Sequence, residues 1–116
     1  MRIKEKLTKD VATLSVSGHM MGGRENKELH DHVKNLLGSG IRKIVIDLKK
    51  VKWMNSSGLG ILMASWGSVC KEGGNLKLAN VTEKVHSLLI ITQVITFFET
   101  YESVDRAIAS FKSEMR

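Results

Sequence analysis

The fold of this chain is constrained most by a short apolar run, a group of hydroxyl residues after it, and an apolar stripe at helical spacing. Residues 44–48 are β-branched and almost wholly apolar, which is typical of a strand buried on both faces of a parallel sheet. The stripe that follows consists of Leu59, Leu62, Met63, Trp66, Val69 and Cys70. Residues 55–57, Asn-Ser-Ser, are therefore predicted to form a helix N-terminus at the carboxyl end of a strand, where α/β domains tend to place functional groups.

The rest of the chain alternates between strand and helix patterns. The predicted elements are a hairpin of residues 3–8 and 11–17 that ends at Gly18, a helix over 24–37, a central strand over 43–48, a helix over 59–70, a strand over 75–80, a short helix capped by Thr82, an edge strand over 94–98, and a C-terminal helix capped by Ser103 or Thr100. This order predicts one α/β domain over residues 1–116, with a mixed, mostly parallel sheet of 4–5 strands, an N-terminal hairpin and about four helices.

Composition narrows the class of function. The 116 residues are 42% hydrophobic, which suits one domain with a core of its own. The net charge of +6 is consistent with nucleic-acid binding, but the lysines are scattered and the only aromatic residues are two Trp, one Tyr and three Phe. We therefore expect no nucleic acid as partner, and a solvated basic surface that suits an acidic partner.

No apolar run approaches the ~20 residues of a membrane-spanning helix, so no membrane partner is expected. The charged N-terminus has no hydrophobic segment behind it and is no secretory signal, which predicts a cytoplasmic protein. Cys70 is the one cysteine, and its place on the helical stripe predicts a buried packing thiol. Neither a metal nor a cofactor is expected.

The segment around the hydroxyl residues carries a family resemblance. The run 44–48, ending in Asp-Leu, leads through Val51-Lys52-Trp53-Met54-Asn55-Ser56-Ser57-Gly58-Leu59-Gly60 into the predicted helix, and Gly73-Gly74 precedes the strand 76–79. This pattern resembles the STAS domain of bacterial anti-sigma factor antagonists, and the resemblance covers nearly the whole chain.

The resemblance implies a partner-switching regulator that is itself not an enzyme. In that family the unphosphorylated domain binds an anti-sigma factor, which frees the sigma factor, and the anti-sigma factor is also a serine kinase with the ATPase fold of histidine kinases. Phosphorylation of the first serine of the loop, here Ser56, releases the partner, and a PP2C-like phosphatase removes the phosphate. The residues alone prefer neither Ser56 nor Ser57, since both belong to the first helical turn.

Two segments differ from the usual family pattern. Asn55 stands where the family usually has Asp, and Gly18-His19-Met20-Met21 stands where it commonly reads Gly-Glu-Leu/Ile-Asp. These differences favour an alternative, a STAS interaction scaffold that is never phosphorylated and serves another signalling complex.

A partner-binding surface is predicted around the serines. It combines the loop residues Trp53, Asn55, Ser56, Ser57 and Gly58, the exposed side of the next helix through Ile61, Ala64, Ser65 and Ser68, and the turn over 18–24 with His19 and Met21. Gly58 and Gly60 would let a partner backbone approach closely. The chain is expected to be a monomer or a weak dimer, with Ile90, Ile91, Phe97 and Phe98 as a candidate dimer surface or as core.

The residues of the serine loop also fit three other interpretations. Ser-Ser-Gly at a helix start is often no more than a cap. Gly58-Leu59-Gly60 resembles a phosphate-binding loop, but Met63 stands where the third glycine would be, so a nucleotide-binding module is the weaker alternative. A nucleophile at Ser56 with His86 and Asp47 lacks the Gly-x-Ser-x-Gly motif, and catalysis is discounted.

Overall fold

The structure is a computed structural model that describes residues 1–113, except for the side chains of residues 25, 26 and 113. Segments with period-two apolar patterns form strands, and those with helical spacing form helices. In chain order the elements are β1 (Arg2–Thr8), β2 (Val11–Met20), α1 (Arg24–Gly38), β3 (Lys43–Met54), α2 (Ser56–Lys71), β4 (Asn75–Ala79), α3 (Glu83–Ile91), a 3₁₀ helix (Val94–Phe97), β5 (Thr100–Tyr101) and α4 (Val104–Ser113).

The strands lie side by side in the order β1-β2-β3-β4-β5. β1 and β2 form an antiparallel hairpin, and every later pair is parallel. β3 is central, and Ile44, Val45 and Ile46 are fully buried because helices cover both faces of the sheet there. The predicted fold, an α/β domain with a mixed, mostly parallel sheet and an N-terminal hairpin, is confirmed.

The sheet separates two cores of unequal size. Alternate residues of β2, such as Ala12 and Leu14, point to the larger core, which α1, α2 and α3 cover. Val11 points to the smaller core, where Ala107 and Phe111 of α4 pack against the opposite face. Because α4 covers only part of this face, the remainder is open to solvent.

Two strands are longer than the sequence predicts. The prediction that Gly18 ends the second strand is wrong, since β2 continues to Met20, and β3 continues past Leu48 to Met54. The extra residues pair with each other across two register shifts, and His19 lies opposite Trp53. Pairing with a neighbouring strand satisfies the hydrogen bonds of the backbone N–H and C=O groups whatever the side chains are, so both strands continue through polar residues.

The predicted edge strand over 94–98 is wrong. These residues form the 3₁₀ helix, which follows Gln93 in the left-handed region at φ 63°. Phe97 and Phe98 lie edge-on to Trp66, with ring centroids 5.5 Å and 6.2 Å away. The apolar side chains that a strand would place in the sheet core pack against α2 instead. The edge strand of the sheet is β5.

The helix caps form at residues that the sequence predicts, whereas the predicted burial of one residue is wrong. Thr82 accepts a hydrogen bond from the Val85 N–H, and Ser103 accepts one from the Arg106 N–H, so Ser103 and not Thr100 caps α4. The predicted burial of Cys70 is wrong, because this thiol is exposed at the end of α2. Of the candidate dimer residues, Phe98 is buried while Ile90, Ile91 and Phe97 are exposed. Within residues 1–113, no helix is long and apolar enough to cross a membrane.

A buried lysine joins β4 to α4. Lys77 is fully buried, and its Nζ donates to Ser110 Oγ at 2.7 Å and lies 3.5 Å from Glu99 Oε1. The same Nζ lies 4.3 Å from the ring centroid of Phe111. The aliphatic stem fills the space under α4 while the ammonium is paired at its rim.

We predict that the stem of Lys77 matters more to stability than its charge. Lys77→Ala leaves a cavity beneath α4 and should lower the free energy of unfolding by about 3 kcal/mol. Lys77→Met keeps most of the stem and should cost about 1 kcal/mol or less, because Glu99 is exposed and regains water. Urea denaturation of both variants tests this, and equal losses would show that the ammonium contacts hold α4.

Candidate functional site

Asn55 caps the helix that carries the two serines. Its backbone is extended, its Oδ1 accepts from the Gly58 N–H at 3.0 Å, and its carbonyl accepts from the Leu59 N–H at 3.0 Å. Ser56 is therefore the first residue of α2 and Ser57 the second. The predicted helix N-terminus at the carboxyl end of a strand is confirmed.

Asn55 also ties this helix to the end of β2. Its backbone N–H donates to the Met20 carbonyl at 3.2 Å, and its side-chain Nδ2 donates to the Met21 carbonyl at 2.8 Å. A carboxylate at position 55 would still cap the helix, but it has no proton to donate to Met21. The amide of Asn55 thus caps α2 and also bonds to the Met21 carbonyl, whereas an ionised aspartate would only cap the helix.

The start of α2 is pressed against the end of β2 at Gly58. A Cβ on this residue would overlap the Met20 carbonyl oxygen and lie 2.9 Å from the Met20 Cβ. Gly58 is buried, and the backbone that approaches it closely is the chain's own, at Met20. Gly60 has open space around it.

The two serines have different surroundings. Both side chains are exposed, and neither hydroxyl makes a hydrogen bond to the described residues. The Cβ of Ser57 faces the loop between β2 and α1, since a Cβ on Gly22 would lie 3.0 Å from it. Ser56 directly follows the capping residue Asn55.

Exposed apolar side chains flank the serines. Met21 is 44% exposed and Trp53 is 46% exposed, which is unusual for residues of this size. His19 is also exposed and pairs with Trp53 across the strands. Lys84 of α3 lies over the Trp53 ring, its Nζ 4.7 Å from the centroid. No local pattern pointed to Lys84, because α3 approaches β3 only in the folded domain.

The predicted contact face of α2 is only partly at the surface. Ala64 is exposed and Ile61 is half-buried, but Ser65 is fully buried, so its predicted place on the exposed side is wrong. Ser65 follows Leu62 by three residues and precedes Val69 by four, a spacing that belongs to the core face and could have indicated burial.

Ser68 of the same helix contacts α1. Its Oγ lies 2.9 Å from His30 Nε2, and burial lowers the pKa of this histidine. Ser68 is half-buried and engaged within the domain. The open surface around the serines therefore consists of the strand ends, the first turn of α2 and Ala64.

The alternative chemistries find little support in the geometry. Asp47 accepts hydrogen bonds from Asn80 Nδ2 and from the Lys49 N–H, both at 3.0 Å. His86 lines a 490 Å³ cleft whose lining does not include Ser56 or Asp47. Among the described residues no group of His, Cys, Asp and Glu could hold a metal ion.

Comparisons with known proteins agree with this fold. The STAS domain family model matches residues 2–107. An anti-sigma F factor antagonist from Paenibacillus polymyxa is 24% identical over 97 residues, which cover 79% of this chain and 83% of the relative. The crystal structure of a candidate anti-sigma factor antagonist from Thermotoga maritima superposes with a TM-score of 0.85 at 23% identity, and covers 93% of this chain and 92% of that chain.

A further structural neighbour has been solved in two forms. SpoIIAA, an anti-sigma factor antagonist, superposes in its unphosphorylated form with a TM-score of 0.81 at 12% identity, covering 97% of each chain. SpoIIAA of Bacillus in its phosphorylated form superposes with a TM-score of 0.74 at 12% identity, covering 95% of this chain and 99% of that chain. At these identities the likeness concerns the fold.

We predict that Gly58 and Gly60 respond oppositely to alanine. Gly58→Ala forces a Cβ onto the Met20 carbonyl and should lower the free energy of unfolding by about 2–4 kcal/mol. Gly60→Ala has room for its methyl group and should raise that free energy by about 0.5–1 kcal/mol, because alanine is the better helix former. Thermal denaturation of both variants measures this, and a harmless Gly58→Ala would contradict the close approach.

We predict that Asn55→Asp loosens the loop between β2 and α1. The variant retains the cap on Gly58 but loses the bond to the Met21 carbonyl, so amides of residues 21–24 should exchange with solvent faster. Hydrogen–deuterium exchange read by NMR detects the change residue by residue. Protection of Gly58 should persist, and unchanged exchange at residues 21–24 would mean that the Met21 bond does not order the loop.

Proposed function

Since the chain belongs to the STAS domain family, we propose that it is an anti-sigma factor antagonist that binds an anti-sigma factor reversibly and is switched by phosphorylation of Ser56. The observation that carries this proposal is the position of Ser56: an exposed hydroxyl on the first residue of α2, beside the exposed Met21 and Trp53. Such a surface suits a protein partner, since aromatic and methionine side chains are enriched at interfaces. The chain acts by binding and not by catalysis.

The start of α2 can hold a phosphate without unfolding. The first backbone N–H groups of a helix have no partner within the helix, and its N-terminus carries about half a positive elementary charge. No acidic residue lies in the first turn of α2 to repel the added charge. The phosphate therefore changes the surface of the domain and leaves its interior as it is.

The same phosphate opposes a bound partner. Ser56 is the exposed first residue of α2 and follows Asn55, which bonds to Met21, so a partner that covers Met21 and Trp53 also removes water from Ser56. Phosphorylation adds a charge of about −1.5 to −2, and its desolvation and its repulsion from acidic groups weaken such an interface. Loss of binding then needs no change of fold.

We propose Ser56 as the modified residue in preference to Ser57. Both serines are exposed and the Ser57 Cβ faces Gly22, and Ser56 is the position that the family resemblance assigns as the phosphate acceptor. The modifying enzyme in this proposal is the anti-sigma factor itself, acting as a serine kinase with a histidine-kinase-like ATPase fold, and a PP2C-like phosphatase reverses the step. All of these partners act in the cytoplasm, where sigma factors work.

A constitutive STAS scaffold is the second candidate. Asn55 donates to the Met21 carbonyl, as no carboxylate can, and residues 19–21 carry no acidic group. These features favour a protein that keeps its loop fixed and its partner bound at all times. The two candidates differ in what a negative charge at Ser56 does.

We predict that Ser56→Asp lowers affinity for the partner by tenfold or more, about 1.4 kcal/mol, while circular dichroism stays unchanged. Wild type, Ser56→Asp and Ser56→Ala serve as baits in native lysate, read by quantitative mass spectrometry. Wild type and Ser56→Ala should enrich the same ATPase-fold protein, and Ser56→Asp should not. Equal capture by all baits would reject the switch in favour of the scaffold.

A further inference from the structure

The open part of the sheet face beside α4 forms a trough over β2. Across the three strands Arg2, Ser17 and Lys50 are register partners, and two pairs further along Lys4 lies opposite Ser15. Ser17 is thus flanked by cationic side chains on both β1 and β3, whereas Ser15 has Lys4 opposite it on β1 and Asp47 opposite it on β3. Neighbouring strands are about 4.8 Å apart, so the two walls stand roughly 9.6 Å apart at their backbones.

Irregular pairing brings additional lysines to this trough. Between the pairs of Ser15 and Ser17, β3 advances from Asp47 to Lys50, so it contains one more residue than β2. Lys49 and Lys50 consequently line the same 290 Å³ hollow, together with Arg2 and Lys4. A second hollow of 770 Å³ shares Ser17, Lys49 and Lys50 with the first and reaches Lys52 and His19.

The trough carries a net positive charge. Its cations are all exposed: Arg2, Lys4, Lys49, Lys50 and Lys52. Asp47 is the one carboxylate of the lining, and among the described residues none of these cations forms an ion pair. Elsewhere in the domain lysines do have carboxylate partners, as in the 2.7 Å pair of Lys43 and Asp10.

We propose that this trough binds an acidic segment of a partner protein in extended conformation. Its width admits a single extended chain, with carboxylate side chains directed to the walls and backbone groups toward the floor. Ser15 Oγ and Asp47 can accept hydrogen bonds from backbone N–H groups of the segment. The inference goes beyond the proposed switch, because Ser56 takes no part in it.

The lining favours a polypeptide over the other polyanions. Single-stranded nucleic acids bind through aromatic stacking as well as charge, and among the described residues no Phe, Tyr or Trp side chain lines either hollow. Asp47 can accept a hydrogen bond from a peptide N–H, a donor that a phosphodiester backbone lacks. An anionic membrane needs apolar anchors, and the apolar lining consists of Met1 in one hollow and Val16 in the other.

The trough leads toward the candidate phosphorylation surface. His19 and Lys52 lie at its end, and His19 pairs with Trp53 beside the serines. A partner that contacts Met21 and Trp53 can therefore place an acidic segment in the trough at the same time. Such a second contact would increase association rate and avidity through charge complementarity.

The test uses the full chain and a fluorescein-labelled oligoglutamate peptide as probe. Anisotropy gives the affinity at low and raised salt, and ¹⁵N spectra locate the contact. The trough variant is Arg2→Gln with Lys50→Gln, and a charge-matched control replaces the exposed lysines Lys34 and Lys71 by Gln. A single-stranded oligonucleotide of equal charge and anionic vesicles serve as competing ligands.

We expect salt-sensitive peptide binding, amide shifts at Ser15, Ser17 and Lys50, and affinity about fivefold weaker in the trough variant than in the control. Ser56→Asp should bind the peptide as wild type does, which separates this outcome from failure of the switch. Equal weakening in the trough and control variants, shifts elsewhere, or tighter binding of the oligonucleotide or vesicles in the trough would overturn the proposal.

Discussion

The contact between the end of β2 and the start of α2 underlies the rest of the site. Gly58 lies against the Met20 carbonyl, and Asn55 donates from its backbone and its side chain to Met20 and Met21. This close approach fixes where the helix begins, and therefore where Ser56 stands relative to Trp53. A larger residue at Gly58 would displace the serines from the apolar residues beside them, so the same contact supports the fold and the geometry of the proposed site.

Much of the fold is predictable because its patterns are local and strong. The apolar run 44–48, the stripe on α2 and the caps Asn55, Thr82 and Ser103 all have physical causes within a few residues of one another. A strand followed directly by a capped helix places its junction at the sheet's carboxyl edge whatever the rest of the chain does.

What the sequence could not supply depends on tertiary contacts. Residues 94–98 have the composition of a strand, but residues 94–97 form a 3₁₀ helix because Phe97 and Phe98 pack edge-on against Trp66. β3 extends to Met54 only because β2 pairs with it, and the cationic trough arises from that pairing and its shifts. Lys84 over Trp53 likewise brings together residues distant in sequence. Ser65 is different, since its helical spacing already indicated burial.

The most direct test of the central claim is the affinity of the anti-sigma factor for the chain carrying phosphoserine at position 56, measured by calorimetry against the unmodified chain. We expect the phosphorylated domain to keep its amide spectrum outside the first turn of α2 and to lose binding by an order of magnitude or more, about 1.4 kcal/mol per factor of ten. Equal affinity with an intact fold would contradict the proposed switch.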